Sequence, residues 1–348
     1  MGRNSRMTRI HRLAGLTCVL TLLAGTAIPA FGGGSPSATP YAAWQALPPP
    51  DTFDPASIRY IGSGAGLAES STSEDDLWVG RLGGAALVQV PVAGAFAGRT
   101  LADGGLLVAA VDGDGRYRLV VVGPDGSETP LVDDLVGLAF TTDVDGRAVY
   151  AARADDAAPL GVWRYTLDGS APDRVLPPMP DVLTVAVAPD GLGFAQERRP
   201  RDEGTYPVMV RSPGSRVRSV DVGRLMGFDA AGRLVGTGGE GLGRYDLRTD
   251  RWKVIAGTDG LSINAIRVMP AGRTLVAIDE PNGEIRVLDL VNGGIRTLEL
   301  VGEGWLMSPV GDDRHAVLQH VVDGTLTVDW YAVVDVIDGW VGYVPSGR

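Results

Sequence analysis

The 348 residues carry 31 Lys and Arg against 42 Asp and Glu, with 49 Gly, 23 Pro, three His and one Cys. The net charge of −11 argues against nucleic acid as a partner, because a polyanion needs a basic stripe to neutralise its phosphates. A lone cysteine excludes intrachain disulfides and Cys-ligated metal clusters, while 45% hydrophobic residues supply a sizeable core.

Along the chain, residues 1–12 hold Arg3, Arg6, Arg9 and Arg12 and no acid, and residues 13–31 form an uncharged apolar run that ends in small residues. This is the three-part pattern of a secretory signal over 1–30, with cleavage expected after Ala27 or Ala30. The run is also long enough to serve as an uncleaved anchor, the one route to a membrane that the sequence offers, although Gly25 and Pro29 break it near its end. Cys18 follows Leu16-Thr17, where a lipoprotein signal wants a small residue directly before its Cys, and cleavage removes the only thiol. Residues 31–57 read as a linker, flexible at Gly32-Gly33-Gly34 and stiff at Pro48-Pro49-Pro50. Residues 58–348 then form one extracytoplasmic domain, whether secreted, periplasmic or at the cell surface.

No segment after residue 58 sustains helical periodicity, and short apolar runs alternate with Gly, Asp and Pro, so the domain is all-β. A turn glycine feeding a strand recurs at Gly104, Gly146, Gly191, Gly232 and Gly272, with spacings of 42, 45, 41 and 40 residues. That period is the length of a four-stranded propeller blade. Extension to Gly64 and to Asp313-Arg314 makes seven units; six blades with an irregular N-terminal addition is the alternative. First strands are expected at 58–62, 96–102, 135–141, 182–188, 224–229, 263–269 and 305–310. Third strands include Tyr117–Val122, Gly161–Leu167, Gly241–Leu247 and Gly283–Leu290.

Phe228-Asp-Ala-Ala-Gly-Arg-Leu-Val-Gly-Thr, Gly241-Leu-Gly-Arg-Tyr-Asp-Leu and Thr258-Asp-Gly-Leu-Ser-Ile-Asn-Ala-Ile together resemble the two-component regulator propeller repeat. The unit at 265–300, with its Gly-Arg-Thr-Leu turn and Ile-Arg-Val-Leu-Asp-Leu strand, is similar to YVTN and WD-repeat-like blades. The resemblance covers two or three blades by motif and the others by period only. It implies a propeller, and in the regulator family such rings are extracytoplasmic sensors. No membrane helix or kinase region follows the ring here, so signalling is not implied.

Catalytic chemistry is thinly represented. His315 and His320 lie five apart on one expected strand, an odd offset that turns them to opposite faces and away from a shared metal. Asp112-Gly113-Asp114-Gly115 looks like a calcium loop, yet Arg116 and Tyr117 stand where such a loop needs an oxygen and a glycine; a hairpin turn is expected. Trp78, Trp163, Trp252 and Trp330 fall at blade-like intervals and are expected to pack between blades.

Acids mark every loop between second and third strands: Asp75 and Asp76, Asp112 and Asp114, Asp155 and Asp156, Asp202 and Glu203, Glu240, Asp279 and Glu280, and Asp323. These loops open on one face of a propeller, so they would surround the channel mouth with negative potential, or else are ordinary solvated turns. The expectation is a non-enzymatic binding or scaffold protein whose acidic loop face meets a protein, peptide or cationic ligand. No cofactor is expected, calcium or magnesium being the inorganic ligands that such a face admits. The alternative is a propeller enzyme, similar to secreted lactonases or streptogramin-type lyases, with a divalent metal in its channel.

Overall fold

The computed structural model describes residues 59–62, 68–73, 76–81, 87–101, 103–154, 159–198, 206–238, 241–261, 265–279, 282–308, 313–321 and 328–345. The signal and linker expected over 1–57 lie outside them, and no helix among the described residues is long and apolar enough to cross a membrane.

The chain is all-β and its sheets form a β-propeller. Strands β1 (Arg59–Gly62), β2 (Ala68–Ser73), β3 (Asp76–Arg81) and β4 (Leu87–Gln89) make the first sheet, paired in chain order. A seven-stranded sheet follows: β5 (Ala95–Thr100), β6 (Leu106–Val111), β7 (Tyr117–Val122), β8 (Glu128–Thr142), β9 (Ala148–Ala154), β10 (Pro159–Thr166) and β11 (Asp173–Leu176). The next four-stranded sheet holds β12 (Val182–Val187), β13 (Phe194–Arg198), β14 (Pro207–Arg211) and β15 (Arg218–Asp221). After it come β16 (Leu225–Phe228), β17 (Leu234–Gly238), β18 (Gly241–Asp246) and β19 (Arg251–Val254). The last two sheets are β20 (Ile266–Val268), β21 (Thr274–Asp279), β22 (Glu284–Asp289) and β23 (Ile295–Glu299), then β24 (Trp305–Met307), β25 (His315–Val321), β26 (Val328–Asp335) and β27 (Trp340–Pro345). All pairs are antiparallel meanders, and first strands of neighbouring sheets, such as β12, β16 and β20, lie against one another toward the axis.

The seven-stranded sheet has one cause, the 15-residue strand β8. Its first part pairs with β7 through Val122↔Glu128, and its last part pairs with β9 through Thr142↔Val149. Leu135 is opposite both Tyr117 and Arg153 at the changeover. Beside it, Arg153 grips Asp134 through two parallel bonds of 2.7 and 2.8 Å, which hold this acid within the strand.

The recurrent glycines do what their spacing implies. Gly104, Gly146, Gly191, Gly232 and Gly272 all have φ between 64° and 86°, and each donates its N–H to the carbonyl three residues earlier, closing the turn from first to second strand. Gly272 has a second reason to lack a side chain: a Cβ there would sit 2.5 Å from the carbonyl carbon of Asp229 in the preceding sheet's turn. These turns are chained from sheet to sheet. Ala230 donates to Gly272 O at 2.8 Å, and Ala271 donates to Asp313 Oδ1.

Second strands are sandwiched. On β21, Leu275 and Ala277 enter the cluster shared with the preceding sheet, and Val276 and Ile278 enter the one shared with the following sheet. Burial of both faces turns the strand into a continuous apolar run where a half-exposed strand would alternate, and each buried Leu or Ile contributes about 1.5–3 kcal/mol. The tryptophans behave unequally: Trp78 is buried, Trp163 and Trp252 pack against core clusters, but Trp330, expected between blades, is 38% exposed at the beginning of β26.

Candidate functional site

In a four-stranded meander the connections from second to third strand, and from one sheet to the next, share a rim opposite the glycine turns. Asp112, Asp114, Arg153, Glu197, Arg224 and Asp279 all lie at this rim or at strand ends leading to it. Asp75, Asp155, Asp156, Asp202, Glu203, Glu240, Glu280 and Asp323 lie outside the described residues, and Asp76 is placed only by its backbone at the start of β3.

At the β6–β7 connection, Asp112 and Asp114 form a tight hairpin. Asp112 Oδ1 accepts the amides of Asp114 and Arg116 at 3.0 and 2.9 Å, and Gly115, at φ 79°, completes the turn. The calcium-like spacing therefore encodes a turn. One Asp112 oxygen is committed to the backbone, while Asp114 is exposed and its carboxylate accepts no hydrogen bond among the described residues.

Asp279, at the end of β21, is buried. Its Oδ2 accepts from Arg286 and from Asn282 Nδ2, the latter at 2.8 Å, while Arg286 also reaches Gly257 O at 2.8 Å. Asp279 thus ties three segments together and presents little charge to solvent. The rim near Asp134 is likewise paired, Arg153 stacking over the Trp163 ring at 5.3 Å. The Tyr165 hydroxyl nearby is pushed up to about 12 by burial, so it stays protonated.

Glu197 and its neighbours were not foreseen from the sequence. Glu197, on β13, is fully buried; its Oε2 accepts the amide of Leu225, the first residue of β16, and its Oε1 has no hydrogen-bond partner among the described residues. Burial pushes its carboxyl up, against the opposing pull of the Leu225 amide and the Arg224 charge. On the other face of β13, Gln196 is buried and donates to Pro177 O at 2.9 Å. Arg224 precedes β16, its backbone locked to Thr237 by N–H to Oγ1 at 2.8 Å and by Thr237 N–H to O at 3.0 Å. Its guanidinium is half-buried and makes no hydrogen bond among the described residues. Arg267, on β20, donates to Ile266 O and to Met307 O of the next first strand; burial and the Arg224 charge push its guanidinium down.

The signal for this site was an acid inside the second strand Phe194–Arg198, whose first four residues are all buried. The histidines have structural surroundings, His320 lying against Trp305 with ring centroids 5.0 Å apart, and among the described residues no three metal-ligating side chains cluster.

No family model matches the chain, and no curated protein matches its sequence. Solved structures do. A prolyl endopeptidase is 17% identical with a TM-score of 0.58 over 83% of this chain and 48% of its own, so the chain spans about half of that protein. An oligogalacturonate lyase in complex with manganese is 12% identical, TM-score 0.54, over 87% of this chain and 86% of its own. The oligogalacturonate lyase from Vibrio parahaemolyticus is 10% identical, TM-score 0.54, over 85% of each chain. These likenesses concern the propeller fold, a scaffold that hosts many unrelated activities.

Proposed function

We propose that the chain is an exported seven-bladed propeller acting as a binding or scaffold protein without chemistry of its own, β8 serving two blades. It contacts a basic peptide, protein segment or other cationic ligand through the loops between second and third strands. The observation that carries this is the β6–β7 hairpin, where a hydrogen-bonded turn holds the exposed Asp114 carboxylate out to solvent. Export rests on the charged and apolar segments of residues 1–30. Asp279 is left out of the contact surface, since Arg286 neutralises it and Asn282 donates a hydrogen bond to it.

Titration with an oligolysine peptide at low and physiological ionic strength tests this. Replacing Asp112, Asp114, Asp155 and Asp156 by Asn should weaken binding and flatten its salt dependence. Unchanged affinity in the quadruple variant would overturn the acidic-face proposal. A co-purifying divalent ion whose removal lowers the melting temperature would favour the enzyme alternative instead.

A further inference from the structure

On the rim of the glycine turns, an apolar slot opens beside a concentration of negative charge. The slot, of about 300 Å³, lies between β7–β8 and the end of β10, and Val121, Leu131, Tyr165, Leu167 and Pro172 line it. Tyr165 belongs to the buried cluster that joins β7 and β8 to β9 and β10; Val121, Leu131 and Leu167 pack against that cluster but stay half-buried, which leaves apolar surface at the slot. Asp103, in the β5–β6 turn, stands where the slot meets a second, wider depression of about 980 Å³, since Asp103, Thr166 and Leu167 line both. The wider depression sets four carboxylates, those of Asp103, Asp143, Asp145 and Asp168, against the guanidinium groups of Arg147 and Arg164.

Three of these carboxylates are fixed by the turns they brace. Asp103 Oδ1 accepts the Gly105 amide at 2.9 Å, Asp143 Oδ1 accepts the amides of Arg147 and Ala148 at 2.7 and 3.1 Å, and Asp168 Oδ1 accepts the Ser170 amide and hydroxyl at 2.9 and 2.6 Å. The second oxygen of Asp103 accepts no hydrogen bond among the described residues. No three metal-ligating side chains cluster among those residues, so the charge is spread as a field and not gathered for one ion. Such a field selects an organic cation over an anion, and the apolar wall selects a cation that carries a ring or chain to bury. The Tyr165 ring supplies an aromatic partner for a ring in the slot. We propose that this cavity binds a small arylalkyl amine, its ring in the slot against Tyr165 and Leu131 and its ammonium group at the mouth on Asp103. The site lies on the rim opposite the acidic loop face and shares no residue with it, so either can fail without the other.

Calorimetric titration of the purified full chain at low ionic strength with phenethylamine, with phenylpropionate (a similar ring and chain ending in a carboxylate) and with ethylamine (the ammonium without the ring) tests it. Phenethylamine should bind at least about tenfold more tightly than either. Asp103→Asn retains an oxygen for the Gly105 amide and removes only the charge; it should weaken phenethylamine about tenfold and narrow its advantage over phenylpropionate. Thr129→Trp, an exposed position on the edge of the slot, should obstruct the ring and weaken phenethylamine to the level of ethylamine. Thermal unfolding of each variant confirms that it is folded. Phenylpropionate or ethylamine binding as tightly as phenethylamine, phenethylamine binding unaffected by both substitutions, or no binding of phenethylamine to the wild-type chain would each overturn the proposal.

Discussion

Removal of the Asp229 carboxylate should be among the most damaging single changes in the chain. Asp229 is 1% exposed at the β16–β17 turn. Its Oδ1 accepts the amides of Ala231 and Arg233 at 3.0 and 2.9 Å. Its Oδ2 takes Arg233 Nε and Nη2, both at 2.7 Å, and faces Arg244 Nη1 at 3.7 Å. Asp229→Ala orphans two turn amides and strips the counter-charge from Arg244, whose side chain is only 14% exposed. Removing one partner from such a buried pair costs about 3–5 kcal/mol, and at about 2–4 °C per kcal/mol for a large domain this lowers the melting temperature by roughly 6–20 °C. Asp229→Asn keeps an oxygen for the amides and loses only the charge, so its loss should be about half as large. Circular dichroism melts of both variants against wild type give the comparison. An Ala variant melting within about 2 °C of wild type would refute the assignment of this carboxylate as the clamp of the turn.

Two further outcomes follow from geometry and charge. Gly232 and Gly272 share the left-handed backbone, φ 72° and 66°, but a Cβ at Gly232 meets nothing while one at Gly272 strikes the Asp229–Ala230 backbone; Gly232→Ala should therefore cost about 1 kcal/mol of strain and Gly272→Ala distinctly more, as read by denaturant midpoints. Asp335 and Glu197 should show opposite pH dependences. At Asp335 burial acts to raise the carboxyl but is outweighed by the Asp338 amide, Arg314 and the Ile337 amide, so it is held low; the advantage of wild type over Asp335→Asn is present above the usual aspartate range and lost as pH falls. At Glu197 the carboxyl is held high by burial, so wild type should lose ground to Glu197→Gln as pH rises above the usual glutamate range, and parallel stability curves would contradict this.

The ring was legible because its determinants are local. A glycine at φ near 70° is needed wherever a two-strand turn closes in this way, so Gly104, Gly146, Gly191, Gly232 and Gly272 mark the blades regardless of what packs around them. The expected first strands at 182–188 and 224–229 contain β12 and β16, and Tyr117–Val122 coincides with β7. The fusion at β8 was hidden for a converse reason. Asp133-Asp134 has turn composition, and only a partner 19 residues away, Arg153, keeps Asp134 inside a strand.

Charge at a strand end had two fates that composition could not separate. Asp114 and Asp279 both follow an apolar second strand, yet one points into solvent and the other is buried, because Asp279 has Arg286 seven residues later on the paired strand and Asn282 between them. The distinguishing information is a cation placed across the ladder, which the loop sequence alone does not contain. Glu197 extends the same logic one step further. It is fully buried in a second strand, faces the next sheet through the Leu225 amide, and forms no ion pair among the described residues. In this it differs from Asp229, Asp279 and Asp335, each of which holds its arginine at bonding distance. Those three ion pairs each lie within one sheet and its turns, whereas Glu197 on β13 accepts the amide of Leu225 on β16 and so ties two neighbouring sheets together.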